Sequence, residues 1–313
     1  MIASGTRIKT DELACALSIP YYLRRLGFTP FAWQEAVAQS PAKRKLLLCS
    51  RQAGKSTIVS AIPCHRAKYF PGSLSIVIAP SEKQAGEDMV KIKGFIGHDP
   101  TYPKLKRNAT DSIELVTGSR IFVVAATDSA ARGYSRPRVV LLDEASRIDD
   151  QVYKSGVVPM LNNSPASELI MLSTPYGRMG FFYETWLAEN RYEKYFVKTP
   201  WVPDLSGRTP VLVPAPESEE EFAARWAEKN VKACYSPNHM DWTYQQGNLD
   251  DVGEKQYRQE FCCEFVEQDG QVFADSDIDR IFRESLITPT STNVDIMTPP
   301  QALTPKSMGG KYF

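Results

Sequence analysis

At 313 residues the chain can hold one large domain, or a main domain with a smaller companion, and its 42% hydrophobic and 24% charged residues allow a substantial core. Its 37 basic and 37 acidic side chains cancel, which argues neither for nor against nucleic acid, since a local basic patch is enough for that. No apolar run approaches the roughly 20 residues of a membrane span, no signal-peptide core is present, and the six cysteines contain no CxxC pair, so a soluble intracellular chain with reduced thiols is expected.

Residues 1–27 read as a helical lead-in, with Leu13, Leu17, Tyr21 and Leu23 to Leu26 at roughly helical spacing. From 28 to 200 short apolar runs alternate with helical stretches: Lys45–Cys49, Ser73–Ala79, Ile113–Val116, Arg120–Ala125, Val139–Asp143, Leu169–Ser173 and Tyr195–Lys198. Nearly continuous hydrophobicity over such short runs predicts strands buried on both faces of a mainly parallel sheet. Ser81 and Gln84 predict the start of a helix from about Glu82 to Ile96, and Thr117-Gly118-Ser119 predicts a hairpin turn. Past Pro200 come Pro203, Pro210, Pro214 and Pro216, then an acid-fronted helix from Ser218, so 201–275 reads as a small, mostly helical companion. From Leu286 to Ser307 the composition turns to Thr, Ser and Pro with little periodicity, and 276–313 reads as a linker.

The chemistry concentrates in two places. Leu46-Leu47-Leu48-Cys49 followed by Ser50-Arg51-Gln52-Ala53-Gly54-Lys55-Ser56-Thr57 reads as strand, tight loop and helix start. Loop amides and a helix N-terminus form an anion cradle, Gly54 permits close backbone approach, Lys55 can reach β- and γ-phosphates, and the Ser56 hydroxyl can hold Mg²⁺. The first glycine of GxxxxGK[ST] is replaced by Cys49, and Pro63 predicts a kinked or short helix after the loop. Val139-Val140-Leu141-Leu142-Asp143-Glu144 places two acids at the C-terminal end of a buried strand, where α/β sheets bind ligands. Asp143 would serve Mg²⁺ and Glu144 would orient and deprotonate a water, a pairing that implies ATP hydrolysis.

Taken together these residues resemble the large terminase subunit of tailed bacteriophages, over roughly 28–275. Pro30-Phe31-Ala32-Trp33-Gln34 looks like the adenine motif of that family; Ser50-Arg51-Gln52-x-Gly54-Lys55-Ser56 looks like its deviant phosphate loop. Ala79-Pro80-Ser81 with Gln84-Ala85, Ala131-Arg132-Gly133 ahead of Asp143-Glu144-Ala145, and Leu172-Ser173-Thr174-Pro175 match further segments. Tyr257-Arg258-Gln259-Glu260-Phe261, Cys263-Glu264-Phe265 and Val272-Phe273 resemble the close of the ATPase region. The resemblance implies an α/β P-loop NTPase of ASCE, RecA-like type with a helical lid or linker subdomain. It implies that Gln34 reads adenine, that Arg51 contacts the γ-phosphate in cis, and that Arg132, with Arg136 and Arg138 as rivals, is an arginine finger reaching a neighbour. Thr174 would sense the γ-phosphate and couple its loss to DNA movement.

By the same resemblance the cofactors are ATP and Mg²⁺, and the partners are double-stranded DNA, the portal protein of the procapsid and the small terminase subunit. A homo-oligomeric, pentameric ring in the host cytoplasm is expected to do the work, with weak ATPase in an isolated monomer and no place in the mature virion. Members also carry an RNase H-like nuclease after the ATPase, so 1–313 is expected to be the ATPase portion. Lys43-Arg44-Lys45, Lys91–Lys93 and Lys104–Arg107 are basic runs that could meet DNA phosphates, and Asp275, Asp277 and Asp279 read as an acidic helix start rather than a metal cluster. The competing readings are a superfamily 2 helicase, for which 201–313 offers too little strand alternation, and a catalytically dead scaffold, against which the intact Lys55, Ser56, Asp143 and Glu144 argue.

Overall fold

A computed structural model describes residues 10–127, 133–162, 164–189 and 191–266. In chain order the main elements are α1 (Thr10–Leu17), α2 (Ile19–Arg25), α3 (Ala32–Gln39), β1 (Arg44–Cys49), α4 (Lys55–Tyr69), β2 (Leu74–Ala79) and α5 (Glu82–Gly97). Then follow β3 (Leu105–Asn108), β4 (Ser112–Leu115), β5 (Arg120–Ala125), β6 (Val139–Asp143), α6 (Asp150–Val152), α7 (Val158–Asn162), β7 (Glu168–Ser173), α8 (Gly180–Leu187) and β8 (Glu193–Lys198). The last elements are β9 (Trp201–Asp204), β10 (Val211–Pro214), α9 (Glu219–Ala227), β11 (Val231–Tyr235), α10 (Trp242–Val252) and α11 (Glu254–Glu260).

Nine strands form one sheet in the order β11-β8-β1-β7-β6-β2-β5-β4-β3. Every pairing from β11 to β5 is parallel, and β4 and β3 close the far edge antiparallel. The seven expected strands are all present, and the alternation along them explains why. Leu47, Val77, Leu141, Ile170 and Tyr195 pack on one face with α1 to α5, while Leu46, Ile76, Val140, Met171 and Phe196 pack on the other with α7, α8 and α9. With both faces covered, a strand carries apolar residues at successive positions.

Three expectations change. Pro63 lies inside α4 without cutting it short: the helix runs 15 residues. Residues 201–266 carry strands beside their helices. β11 extends the main sheet beside β8, and β9 and β10 form an antiparallel pair. Two of the prolines that suggested a loop, Pro203 and Pro214, sit in that two-stranded ribbon, where a missing N–H costs no central ladder bond. α10 and α11 pack on the ribbon through a small core of Leu212, Leu249, Tyr257 and Phe261. The third change is at Lys45, which is fully buried against Glu168, so that position of the basic run is closed to DNA.

Serine caps three helix starts, two of them, at Ser81 and Ser218, where the sequence predicts a helix start. Ser18 accepts from the amide of Tyr21, Ser81 from that of Gln84, and Ser218 from that of Glu221, whose carboxylate answers the Ser218 amide. The Thr117–Ser119 hairpin is present, with Gly118 at φ 81°. Among the described residues no helix is long and apolar enough to cross a membrane.

Candidate active site

Parallel register brings the two motifs together. Leu48 of β1 stands beside Ser173 of β7, and Leu172 of β7 beside Asp143 of β6. The loop after β1, the acids after β6 and the hydroxyls after β7 therefore meet at one end of the sheet, the carboxyl end where such sheets hold ligands.

The loop is held from three sides. The Ser50 amide donates to Val197 O (2.8 Å) and the Arg51 amide to Glu260 O (2.6 Å). Asn238 Nδ2 donates to Gln52 O (2.8 Å), and Tyr244 Oη to Gln52 Oε1 (3.0 Å). Gln34 is 3% exposed and spans a gap: its Oε1 accepts from the Phe31 amide (2.8 Å) and its Nε2 donates to Gly54 O (2.9 Å). Gly54 sits at φ 97°, and a Cβ there would lie 2.8 Å from Gln34 Nε2. Both conformation and space demand glycine.

Cys49 accounts for the missing first glycine. It is the last residue of β1, paired with Val197, with its side chain wholly in the core. Extended backbone at that point has no need of glycine. Burial pushes its thiol up to about 12, which leaves it an inert packing group. Arg51 and Ser56 are exposed, Ala53 is buried and Thr57 half-buried, its amide donating to Gly54 O (3.2 Å).

Glu144 is the hub. Its backbone is left-handed (φ 46°), and its Oε1 lies 3.3 Å from Lys55 Nζ. Its Oε2 accepts from Ser173 Oγ (3.2 Å), Thr174 Oγ1 (3.3 Å) and the Thr174 amide (3.4 Å). Burial alone would raise this carboxyl, but the charge and hydrogen bond of Lys55 and the Thr174 amide outweigh it and hold Glu144 below the usual carboxylate range. Burial likewise works against the Lys55 ammonium, and Glu144, then Asp143, more than compensate. Ser146 completes the bridge: its Oγ is 2.7 Å from Ser173 Oγ and donates to Thr174 O (2.8 Å).

Asp143 is 6% exposed and pushed up to about 8 by burial first, then by the neighbouring acids Asp88 and Glu144. A cation beside it would hold it ionised at neutral pH. Ser56 and Asp143 offer hard oxygen donors, which suits Mg²⁺. Among the described residues no group of three or more His, Cys, Asp or Glu side chains forms a metal cage, and Mg²⁺ typically keeps water and phosphate oxygens as most of its ligands. The residues fit that ion.

Arg132 lies outside the described residues, as do Asp275, Asp277 and Asp279. Arg136 and Arg138 precede β6, at the opposite end of the sheet from the loop, and the Arg138 guanidinium stacks 3.5 Å over Phe70. Several contacts of the site had no sequence signal: Asn238, Tyr244, Asp88 and His239, whose Nδ1 lies 3.4 Å from Ser50 Oγ, whereas Glu260 falls within the closing motif. Arg147 belongs with them, pairing Glu260 at 3.4 Å and lying 4.2 Å over the Tyr176 ring. Only contact in space reveals these residues.

A profile of the family described as terminase large subunit, T4likevirus-type, N-terminal, matches residues 46–280, well over half of the chain. This chain belongs to the terminase large subunit family. The large terminase subunit of Thermus virus P23-45 is 27% identical over 278 residues, covering 82% of this terminase chain and 53% of that protein. The chain thus spans about half the length of the curated relatives it matches. In fold it is similar to a mutant of the large terminase ATPase domain of Thermus phage P74-26 (TM-score 0.56, 19% identity, 78% of this chain and 98% of that one). The large terminase of another thermophilic bacteriophage is more distant (TM-score 0.50, 8% identity, 82% of this chain and 53% of that one). The α/β P-loop NTPase fold with a mainly parallel sheet follows from both the topology and these likenesses.

Proposed function

We propose that this chain is the ATP-hydrolysing engine of a viral DNA-packaging motor. The observation that carries the reading is Glu144, half-buried and shared between Lys55 of the phosphate loop and Ser173-Thr174 of the neighbouring strand end. ATP would lie along Ser50–Thr57, with Lys55 on the β- and γ-phosphates and Gln34 and Arg51 at its two ends. Bound Mg²⁺, between Ser56 and Asp143, would supply charge neutralisation at the phosphates. Glu144 would accept the proton of the attacking water, for which a carboxylate kept ionised by its surroundings is suited. When Lys55 turns to phosphate, the Glu144–Lys55 contact opens while the Thr174 contacts remain, so hydrolysis is felt at the end of β7.

The same reading assigns double-stranded DNA as the moved substrate, with the portal of a procapsid, a small terminase subunit and further copies of the chain in a ring as partners in the host cytoplasm. Arg132, reaching a neighbour's site, would make turnover depend on assembly. Phosphate release from ATP by the wild type and Lys55→Ala tests the engine: loss of at least about a hundredfold is expected on removing a group that meets transition-state charge. Equal rates would sink the reading. Turnover independent of protein concentration, and unchanged in Arg132→Ala, would remove the trans contribution alone.

A further inference from the structure

Asp88 is a buried carboxylate to which the catalytic reading gives no task. It lies in the second turn of α5, and its side chain is 0% exposed. Lys91 Nζ donates to Oδ1 at 3.0 Å, from a side chain that is 40% exposed. Oδ2 has no hydrogen-bond partner, yet the carboxyl is within hydrogen-bonding reach of that of Asp143. Two carboxyls face each other in the interior, and once both are ionised neither brings a donor for the other. A half-exposed lysine on the same helix accounts for one oxygen. It leaves the inward one unexplained.

Position supplies the explanation. α5 packs along α4, whose first turn carries Lys55 and Ser56, and it follows β2, the neighbour of β6. Asp88 therefore reaches the Asp143 side of the phosphate site from a third element. We propose that Asp88 is a metal-positioning residue: with Asp143 it forms a two-carboxylate wall that accepts hydrogen bonds from water ligands of nucleotide-bound Mg²⁺. Mg²⁺ gives up its waters reluctantly, those waters are donors, and two inward acceptors would fix their orientation as outer-sphere partners do in other metal sites. The inference rests on the ATP and Mg²⁺ reading above and adds a residue that no short motif contains.

The test is Mn²⁺ binding, followed by electron paramagnetic resonance, to the 313-residue chain saturated with a non-hydrolysable ATP analogue. Asp88→Asn keeps the shape and should weaken Mn²⁺ about tenfold or more, the usual effect of losing an outer-sphere partner. Lys91→Met should stay within about twofold, since a half-exposed ion pair contributes little. Without nucleotide and metal, Asp88→Asn should melt no lower than wild type, because one of two opposed acids has gone. Wild-type affinity in Asp88→Asn overturns the assignment of Asp88 alone. A variant that melts far below wild type assigns Asp88 to folding and also overturns it. A wild-type chain that takes up no Mn²⁺ with the analogue removes the ATP and Mg²⁺ reading, and this inference with it.

Discussion

At the amino end of the sheet, Lys45 of β1 and Glu168 of β7 form a fully buried ion pair, joined by Arg66 from the last turn of α4. At the carboxyl end Lys55, from the first turn of the same helix, pairs with Glu144 after β6. The residue types match and the surroundings differ. Burial works against Glu168, but Lys45 and Arg66 together hold its carboxyl below the ordinary range, so positive charge leads there. Around Lys55 the acids lead: Glu144 and Asp143 share one lysine, and Asp143 is pushed up by burial first and then by Asp88 and Glu144. One end is electrostatically closed, while the other is short of positive charge until a cation arrives. A buried pair is structural when its charges close locally; an imbalance marks the end built to bind.

The sharpest test replaces the same glutamate function at each end. Glu144→Gln should lower ATP turnover by about 10²–10⁴-fold, the range for a general base, with nucleotide binding retained in equilibrium titration. Turnover within about tenfold of wild type would contradict the base assignment. Glu168→Gln should leave two cations facing a neutral amide in the interior and cost about 3–5 kcal/mol in urea unfolding. If it unfolds like wild type, the closed end is not the structural one.

A smaller effect of opposite sign is expected at Asp143. Its folded-state value, about 8, lies above its ordinary 3.8, so wild type loses stability as pH rises between these values. Asp143→Asn lacks that loss and should be more stable than wild type at neutral pH by roughly 1–3 kcal/mol, allowing for water entering the site. The difference should shrink to nothing near pH 4; a gap that widens toward acid would reverse the assignment. Smallest is Tyr244→Phe, which removes one donor from Gln52 and should weaken nucleotide binding by about 0.5–1.5 kcal/mol in isothermal titration.

The buried strands were legible because two covered faces leave an apolar signature in every residue. β11 was not: Lys232 and a single small apolar run on an edge strand give no such pattern, and the prolines around β9 and β10 point away from strand. The phosphate loop, Asp143-Glu144 and Ser173-Thr174 are contiguous and could be read directly. Asp88, Asn238 and Tyr244 act through contacts spanning tens to hundreds of residues, for which one sequence carries no spacing rule. Lys45 illustrates the converse: a basic run looks solvated until Glu168 is seen opposite it.

Glu144 holds a left-handed backbone that asparagine or glycine would adopt with less strain, a difference on the order of 1 kcal/mol. Asp143, beside it, would gain stability from losing its charge. A laboratory selection that rewarded heat resistance alone would therefore drift first toward these two neighbouring positions, and the most robust survivors would be chains whose phosphate site had been dismantled.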